Sequence, residues 1–175
     1  MSDTIEKSHS LPAVVVSIDD LYLPHDRQKA LAKQHPDNPL VQHRGQPSTH
    51  DVELGKDVFK ALLNRETDVK LPSYDKSAFN GEGDQKPENE WPVVNAKGDK
   101  AVEVTIFEGW CVGFRPISDA EVEEKWKTAK QEYDKQGDEY RGQLGKQKLE
   151  SALFINSALR DYDDLTNQFS AFVHM

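Results

Sequence analysis

The stretch LPAVVVSIDDLYLP, residues 11–24, decides how the rest of this sequence is interpreted. Its apolar run from Val14 to Ile18 is interrupted only by a serine and leads directly into Asp19 and Asp20. A short run of β-branched apolar residues predicts a strand buried on both faces, as in parallel sheets. Buried strands do not usually end in paired carboxylates, so the two aspartates suggest a functional site.

Two further stretches share this strand pattern. They are EVTIFEGW, residues 103–110, which carries an acidic residue at Glu108, and FSAFVHM, residues 169–175. Helical patterns lie between them, over 25–34, over 51–63, after a capping box at Ser118 and Glu121, and over about 147–165. Strands that alternate with helices predict an α/β protein with a mainly parallel sheet.

Composition limits the classes of protein that this chain can represent. Its 175 residues fit one domain, and a net charge of -9 argues against a nucleic-acid partner. No segment approaches the roughly 18 apolar residues of a membrane span, and the first ten residues lack an apolar signal-peptide core. A single cysteine, Cys111, excludes an internal disulfide framework. We therefore expect a cytoplasmic protein that binds neither nucleic acid nor membrane.

Carboxylates follow two of the predicted strands, namely Asp19 and Asp20 after the first and Glu108 after the second. In open α/β sheets, ligands bind outside the carboxyl ends of the strands, so three carboxylates would converge there. Carboxylates in such a crevice hold Mg²⁺ or accept a proton from an attacking hydroxyl. The spacing alone leaves a structural alternative open, in which Asp20 caps the next helix and Asp19 is a solvated strand end.

Two long stretches without a regular pattern, residues 36–50 and 71–100, carry the other candidate side chains. Loops of this length in a compact domain are usually functional or disordered. The segment HRGQPSTHD, residues 43–51, and the segment PSYDKSAFNGEGD, residues 72–84, are dense in polar groups. Their candidates are Arg44, His50, Asp51, Tyr74, Asp75 and Lys76. The alternatives are a loop with a helix cap in the first segment and an Asx-type turn in the second.

Taken together, SIDDLYLP, RGQPSTHD, PSYDKSAFNGEGD and TIFEGWCVGFRP resemble the D-glycerate 3-kinase family and its fungal relatives, over roughly residues 11–175. That family is similar to the uridine kinase, phosphoribulokinase and pantothenate kinase branch of P-loop kinases. The resemblance implies a P-loop NTPase-like, three-layer α/β/α fold. It also implies a kinase that uses ATP and Mg²⁺ to phosphorylate a hydroxyl of a small, glycerate-like metabolite.

The resemblance also implies roles for the candidate residues. Asp19 matches the base toward the substrate hydroxyl, and Glu108 matches the acidic residue near Mg²⁺, with Asp20 as a second candidate metal ligand. Arg44 and Lys76 would suit a carboxylate or phosphate on the substrate. The other residues that the resemblance places at the acceptor substrate are Asp51, Tyr74 and Asp75, and His50, next to Asp51 in the sequence, is a further candidate for substrate binding.

The motif G-x-x-x-x-G-K-[ST], which cradles the phosphates of ATP in such kinases, has no match in this sequence. Gly55-Lys56 and Gly145-Lys146 both fail, because neither pair is followed by serine or threonine. We therefore expect residues 1–175 to form one truncated P-loop kinase-like domain without the first strand, the phosphate loop and the C-terminal helix. It would be catalytically inactive alone. The alternatives are a non-catalytic binding or regulatory module and, more remotely, a metal-dependent hydrolase.

Overall fold

A computed structural model describes residues 2–174, with side chains from residue 4 onward. Within that range the helices are α1 (Ser2–His9), α2 (His25–Gln34), α3 (Val52–Leu63), α4 (Asp119–Gln136), α5 (Leu149–Ala158) and α6 (Asp163–Thr166). The strands are β1 (Ala13–Ser17), β2 (Val69–Lys70), β3 (Tyr74–Asp75), β4 (Asp84–Gln85), β5 (Val93–Val94) and β6 (Val104–Glu108). No helix in this range combines the length and apolar character needed to cross a membrane.

The two longest strands, β1 and β6, pair in parallel, as the sequence pattern predicts. Their register sets Ala13 opposite Val104 at one end and Ser17 opposite Glu108 at the other. Because both strands run in the same direction, their carboxyl ends meet at the same edge of the sheet. The residues that follow β1, Asp19 and Asp20, therefore start from the same edge as Glu108.

The predicted α/β architecture with a parallel sheet is confirmed, and helix α3 supplies much of its core. Side chains at helical spacing on α3, including Val58, Phe59 and Leu62, are buried in one apolar cluster with Val16 of β1. Apolar residues at i, i+1 and i+4 lie on one face of a helix, and this face packs against the sheet. The packing fixes the position of the α3 amino terminus beside the end of β1.

The expectation that β1 is buried on both faces is wrong. Val16 is 4% exposed and belongs to the core cluster, whereas its neighbour Val15 is 41% exposed. Successive side chains of a strand point to opposite faces, and the core cluster lies on only one of them. A continuous apolar run therefore does not by itself show that both faces are covered.

The third predicted strand, residues 169–175, is also wrong over the part of it that the structure describes; Met175 lies outside the described residues. Residues 169–174 form no strand, because no neighbouring segment pairs with them through backbone hydrogen bonds. Two aromatic side chains hold the segment in place instead. Phe169 meets Phe107 edge to face at 6.1 Å, and the ring of Phe172 lies over Gly113.

The irregular stretches contain short ladders that the sequence pattern did not predict. Strands β3 and β4 pair antiparallel, with Tyr74 opposite Gln85, and they enclose the loop of residues 76–83. Strands β2 and β5 form a second antiparallel pair. Since each strand has only two residues, no period-2 pattern could indicate it. The predicted helix over 147–165 is also interrupted, by a tighter 3₁₀ turn at Leu159–Tyr162.

Candidate functional site

A cleft of about 560 Å³ opens beside the segment that follows β1. One part of its wall carries Asp19 and Tyr22 from the end of β1, with Arg44 and Lys76 from the two long loops. Another part is formed by the side chains His25, Gln28 and Lys29 of α2 and by Glu82 of the 76–83 loop. Three of the residues singled out in the sequence, Asp19, Arg44 and Lys76, therefore line the same cleft.

Asp19 and Lys76 form an ion pair in this cleft, with Nζ of Lys76 2.6 Å from Oδ2 of Asp19. The Asp19 side chain is 31% exposed and lies at the start of a 3₁₀ turn that Ser17 caps. Partial burial raises the pKa of Asp19, but hydrogen bonds from Lys76 and Tyr22 outweigh burial and bring it below its ordinary value. Asp19 is consequently ionised at neutral pH and points into the cleft with a cation beside it.

Asp20 lies beside Asp19 but turns toward the β3 strand, where its Oδ1 accepts a hydrogen bond of 3.1 Å from the backbone N–H of Tyr74. Burial raises the pKa of Asp20, and the charges of Asp19 and Glu108 raise it further. Glu108 itself is exposed at the end of β6. A cation between the carboxylates would relieve this repulsion.

The oxygen donors of Asp20 and Glu108 fit Mg²⁺, which proteins usually hold through one or two carboxylates together with substrate phosphates. Within residues 2–174, no group of three or more His, Cys, Asp or Glu side chains is arranged to hold a metal ion unaided. The two carboxylates thus suit a metal that arrives with a phosphate ligand better than a permanently bound one.

His50 is not at the surface of the cleft but 4% exposed beneath it. Its ring stacks on Tyr22 at a centroid distance of 4.5 Å, and Nδ1 lies 2.7 Å from the hydroxyl of Tyr162. That hydroxyl accepts a hydrogen bond from the backbone N–H of Ser48, so its own proton can be donated to Nδ1. Burial lowers the pKa of His50 to about 4. The imidazole is therefore neutral at pH 7 and supports Tyr22 from behind the cleft.

Arg44 holds the 76–83 loop against the rest of the cleft. Its Nη1 donates to the carbonyl of Gly81 at 2.7 Å and to that of Glu82, and its Nη2 donates to the carbonyl of Lys76 at 3.5 Å. The guanidinium also lies 5.7 Å from the ring centroid of Tyr74. Arg44 thus positions Lys76 through its backbone and keeps its charge in the cleft.

Asp51 occupies the place that the structural alternative predicts, at the N-cap of α3. Its Oδ1 accepts a hydrogen bond of 3.2 Å from the backbone N–H of Leu54, and its Oδ2 is paired with Arg27. The side chain does not line the cleft. Contact between Asp51 and a substrate therefore stays a prediction.

Tyr74 and Asp75 also lie outside the cleft lining. Tyr74 is 8% exposed and contributes to the base of the site, edge to face with Tyr22 at 5.4 Å. Asp75 accepts hydrogen bonds from the backbone N–H and the hydroxyl of Ser77, at 2.9 and 2.6 Å, as an Asx-type turn does. Those bonds lower the pKa of Asp75. The structure therefore gives Asp75 a local structural role, and its contact with a substrate stays a prediction.

The part of the wall on α2 was not predicted from the sequence as part of a site. Glu82 pairs there with His25 and Lys29, each at 2.6 Å, and the ring of Phe79 stacks on His25 at 3.8 Å. Residues 25–34 contain mostly polar side chains, and such a pattern is typical of a solvated helix. Their role follows from contacts with a loop more than 50 residues away, which no local pattern reports.

Comparison with known proteins finds kinases among the relatives of this chain. The chain is 36% identical, over 93% of its length, to a Schizosaccharomyces pombe protein named "Uncharacterized kinase mug58", of which it covers 53%. It is 42% identical, over 58% of its length, to a Saccharomyces cerevisiae protein named "Probable ATP-dependent kinase TDA10", of which it covers 34%. No family model matches.

A solved structure, the D-glycerate 3-kinase from Cryptococcus neoformans, superposes with a TM-score of 0.83 at 34% identity. The match covers 98% of this chain and 56% of that one. The predicted resemblance to D-glycerate 3-kinase and its fungal relatives is confirmed, and so is the fold that it implied. The chain spans about half the length, or less, of the curated relatives described above.

Proposed function

We propose that this chain, a homologue of D-glycerate 3-kinase, forms the acceptor-binding half of a kinase active site. In this proposal the cleft binds a small hydroxy acid such as D-glycerate, and Asp19 faces the hydroxyl that receives the phosphoryl group. The observation that carries the proposal is the placement of Asp19 directly after β1, in one cleft with the cations Lys76 and Arg44.

The cations of the cleft suit the carboxylate of the acid. Lys76 is the most accessible partner, since its side chain is 58% exposed. An arriving carboxylate can share the Lys76 ammonium with Asp19 while Arg44 keeps the Lys76 backbone in place. Charge-assisted hydrogen bonds of this kind are stronger than neutral ones and orient the ligand.

Asp19 is a weak base, because hydrogen bonds with Lys76 and Tyr22 hold its pKa low. A low pKa is compatible with phosphoryl transfer, because the attacking hydroxyl keeps its proton until late in that reaction. The main contribution of the protein is then to position the reacting groups. The ionised carboxylate would accept a hydrogen bond from the substrate hydroxyl and so orient the hydroxyl oxygen for attack. It would take the hydroxyl proton as the phosphoryl group passes from ATP to that oxygen and ADP leaves.

ATP with Mg²⁺ would supply the phosphoryl group, and Asp20 and Glu108 are the residues that would hold the metal. The phosphates themselves need a set of backbone amides and a lysine, which in P-loop kinases come from G-x-x-x-x-G-K-[ST]. Since these 175 residues contain no such motif, we propose that they bind the acceptor but transfer no phosphoryl group until that element is supplied.

Binding of D-glycerate, followed by NMR titration or calorimetry, tests the acceptor site directly. We expect Lys76→Met to weaken binding by about tenfold or more, because it removes a cation and leaves Asp19 unneutralised. Asp19→Asn should bind the acid at least as tightly as the unaltered chain. The matched control Lys70→Met removes a lysine that pairs with Glu88 outside the cleft, at 2.9 Å. Equal losses for Lys76→Met and Lys70→Met would refute the site.

Phosphoryl transfer is tested by fusing a strand–loop–helix segment that carries G-x-x-x-x-G-K-[ST] ahead of the chain. We expect no phosphorylation of D-glycerate by the chain alone and measurable phosphorylation by the fusion. In the fusion, Asp19→Asn should lower kcat by about 100-fold or more, the usual contribution of a positioned base. A chain that binds the acid but gains no activity in any such fusion would instead be a non-catalytic binding module.

A further inference from the structure

We propose that Oε1 of Gln28 accepts a hydrogen bond from the non-reacting hydroxyl of the acceptor and so makes the cleft selective for 2-hydroxy acids. This inference rests on the proposed function, since it concerns the same cleft. Gln28 lies on α2, lines the cleft and is only 6% exposed.

The orientation of the Gln28 amide follows from its bond to the backbone. Its nitrogen Nε2 lies 2.9 Å from the carbonyl oxygen of Val41. A carbonyl oxygen can only accept a hydrogen bond, so the group that faces Val41 must be the NH₂ and not the oxygen. The position of Oε1 is therefore set, and the side chain cannot exchange its two ends without breaking that bond.

The oxygen end makes no hydrogen bond with any of the described residues, although it is shielded from solvent. A buried acceptor without a partner costs folding free energy, and native structures contain few of them. On a helix with mostly exposed side chains, an apolar residue at position 28 would pack without this cost. Gln28 lines the cleft and is held by one end, and its acceptor has no partner, which is consistent with a donor that arrives with the ligand.

The chemistry of an amide oxygen limits what that donor can be. It accepts from O–H or N–H groups and offers nothing to a carboxylate, which in this cleft has Lys76 and Arg44 instead. A hydroxy acid with one reacting and one additional hydroxyl carries such a donor. Because Oε1 is shielded in this conformation, the hydroxyl reaches it as the side chains of the cleft wall adjust on binding.

Two ligands that differ only in this hydroxyl test the inference. D-Glycerate carries it, and 3-hydroxypropionate lacks it while keeping the carboxylate and the terminal hydroxyl. We expect the chain to bind D-glycerate about five- to tenfold more tightly, which is the effect of one hydrogen bond to a buried group. Gln28→Met should reduce this preference to less than about twofold by weakening D-glycerate alone.

A control comes from the same cleft. Gln42 also lines it and donates from Nε2 to the carbonyls of His35 and Asn38, both at 2.8 Å, but its Oε1 is not a buried, unpartnered atom. Gln42→Met should keep the preference for D-glycerate. If Gln28→Met does not fold, Gln28→Glu decides the matter. Buried against the Val41 carbonyl, its carboxyl group should stay protonated, donate to that carbonyl and still accept from the hydroxyl through its other oxygen, so we expect the preference to be retained.

The outcomes separate the two proposals. If the chain binds neither acid, the proposed acceptor site is wrong and this inference fails with it. If both acids bind equally well to the chain, or if Gln28→Met weakens them equally, the acceptor site stands but Gln28 has only a structural role. Loss of the preference in Gln28→Glu would likewise overturn the inference.

Discussion

Acidification should destabilise the folded chain through one buried side chain, His50. The ring is 4% exposed, and burial lowers its pKa from 6.5 to about 4 in the folded state. Between these two values the unfolded chain binds a proton that the folded chain does not. The free energy of unfolding therefore decreases as the pH falls through this window and is independent of His50 above it.

The size of the effect follows from the two pKa values. A separation between 6.5 and about 4 corresponds to a loss of about 3 kcal/mol once the pH lies below both. Between about pH 7.5 and about pH 5, the expected loss is about 2 kcal/mol. This is a large fraction of the roughly 5–15 kcal/mol that stabilises a typical domain.

Urea titrations at a series of pH values, for the chain and for His50→Asn, measure this effect. Asparagine keeps a polar group near the Tyr162 hydroxyl but does not titrate, so the slope above about pH 5 should nearly disappear. Carboxyl groups with a lowered pKa, such as Asp19 and Glu82, lose their contribution only below about pH 4.5. His43→Asn, at an exposed histidine of the same segment, should keep the original slope. An unchanged slope in His50→Asn would refute the reasoning.

Three further changes have defined outcomes, each read from a thermal or urea melt. Gly83→Ala should cost about 1–3 kcal/mol, because φ is +85° and a Cβ would lie 2.5 Å from the Tyr74 ring; an unchanged midpoint would contradict this. Ser118→Ala should cost about 1 kcal/mol by removing the capping box of α4, and stability within error would show that the cap is dispensable. Tyr162→Phe should cost about 1–3 kcal/mol by leaving Nδ1 of His50 without its partner, and a smaller loss would mean that water replaces the hydroxyl.

The strands and helices that the sequence predicted are those with a strong local signal. The run of β-branched residues into Ser17 and the run into Glu108 both became strands, and α3 and α4 begin at their predicted caps. Caps and hydrophobic periodicity depend on residues within a few positions, so one sequence contains the information. The segment 169–174 failed for the opposite reason, because a strand exists only where another strand offers hydrogen bonds.

The residues of the candidate site also differ in how far the sequence alone could predict their roles. Asp19, Arg44 and Lys76 were singled out in the sequence and line one cleft. By contrast, Asp51 caps a helix and Asp75 closes a turn, as the structural alternatives allowed. A motif shows which functional groups are present. It does not show whether a carboxylate caps a helix or faces a ligand, because the same residue type serves in both roles.

By itself, the sequence determined that this is an α/β protein with an acidic strand end and with motifs that resemble those of D-glycerate 3-kinase, because strand propensity and polar motifs are local properties. Only the tertiary structure decided which of the polar groups share a cleft. Gln28 belongs to it through a hydrogen bond with Val41, which lies outside α2. Glu82 belongs to it through an ion pair with Lys29, which is distant in sequence. Such contacts form when the whole chain packs, and burial then sets whether an acceptor such as Oε1 of Gln28 meets water, a backbone donor or a ligand.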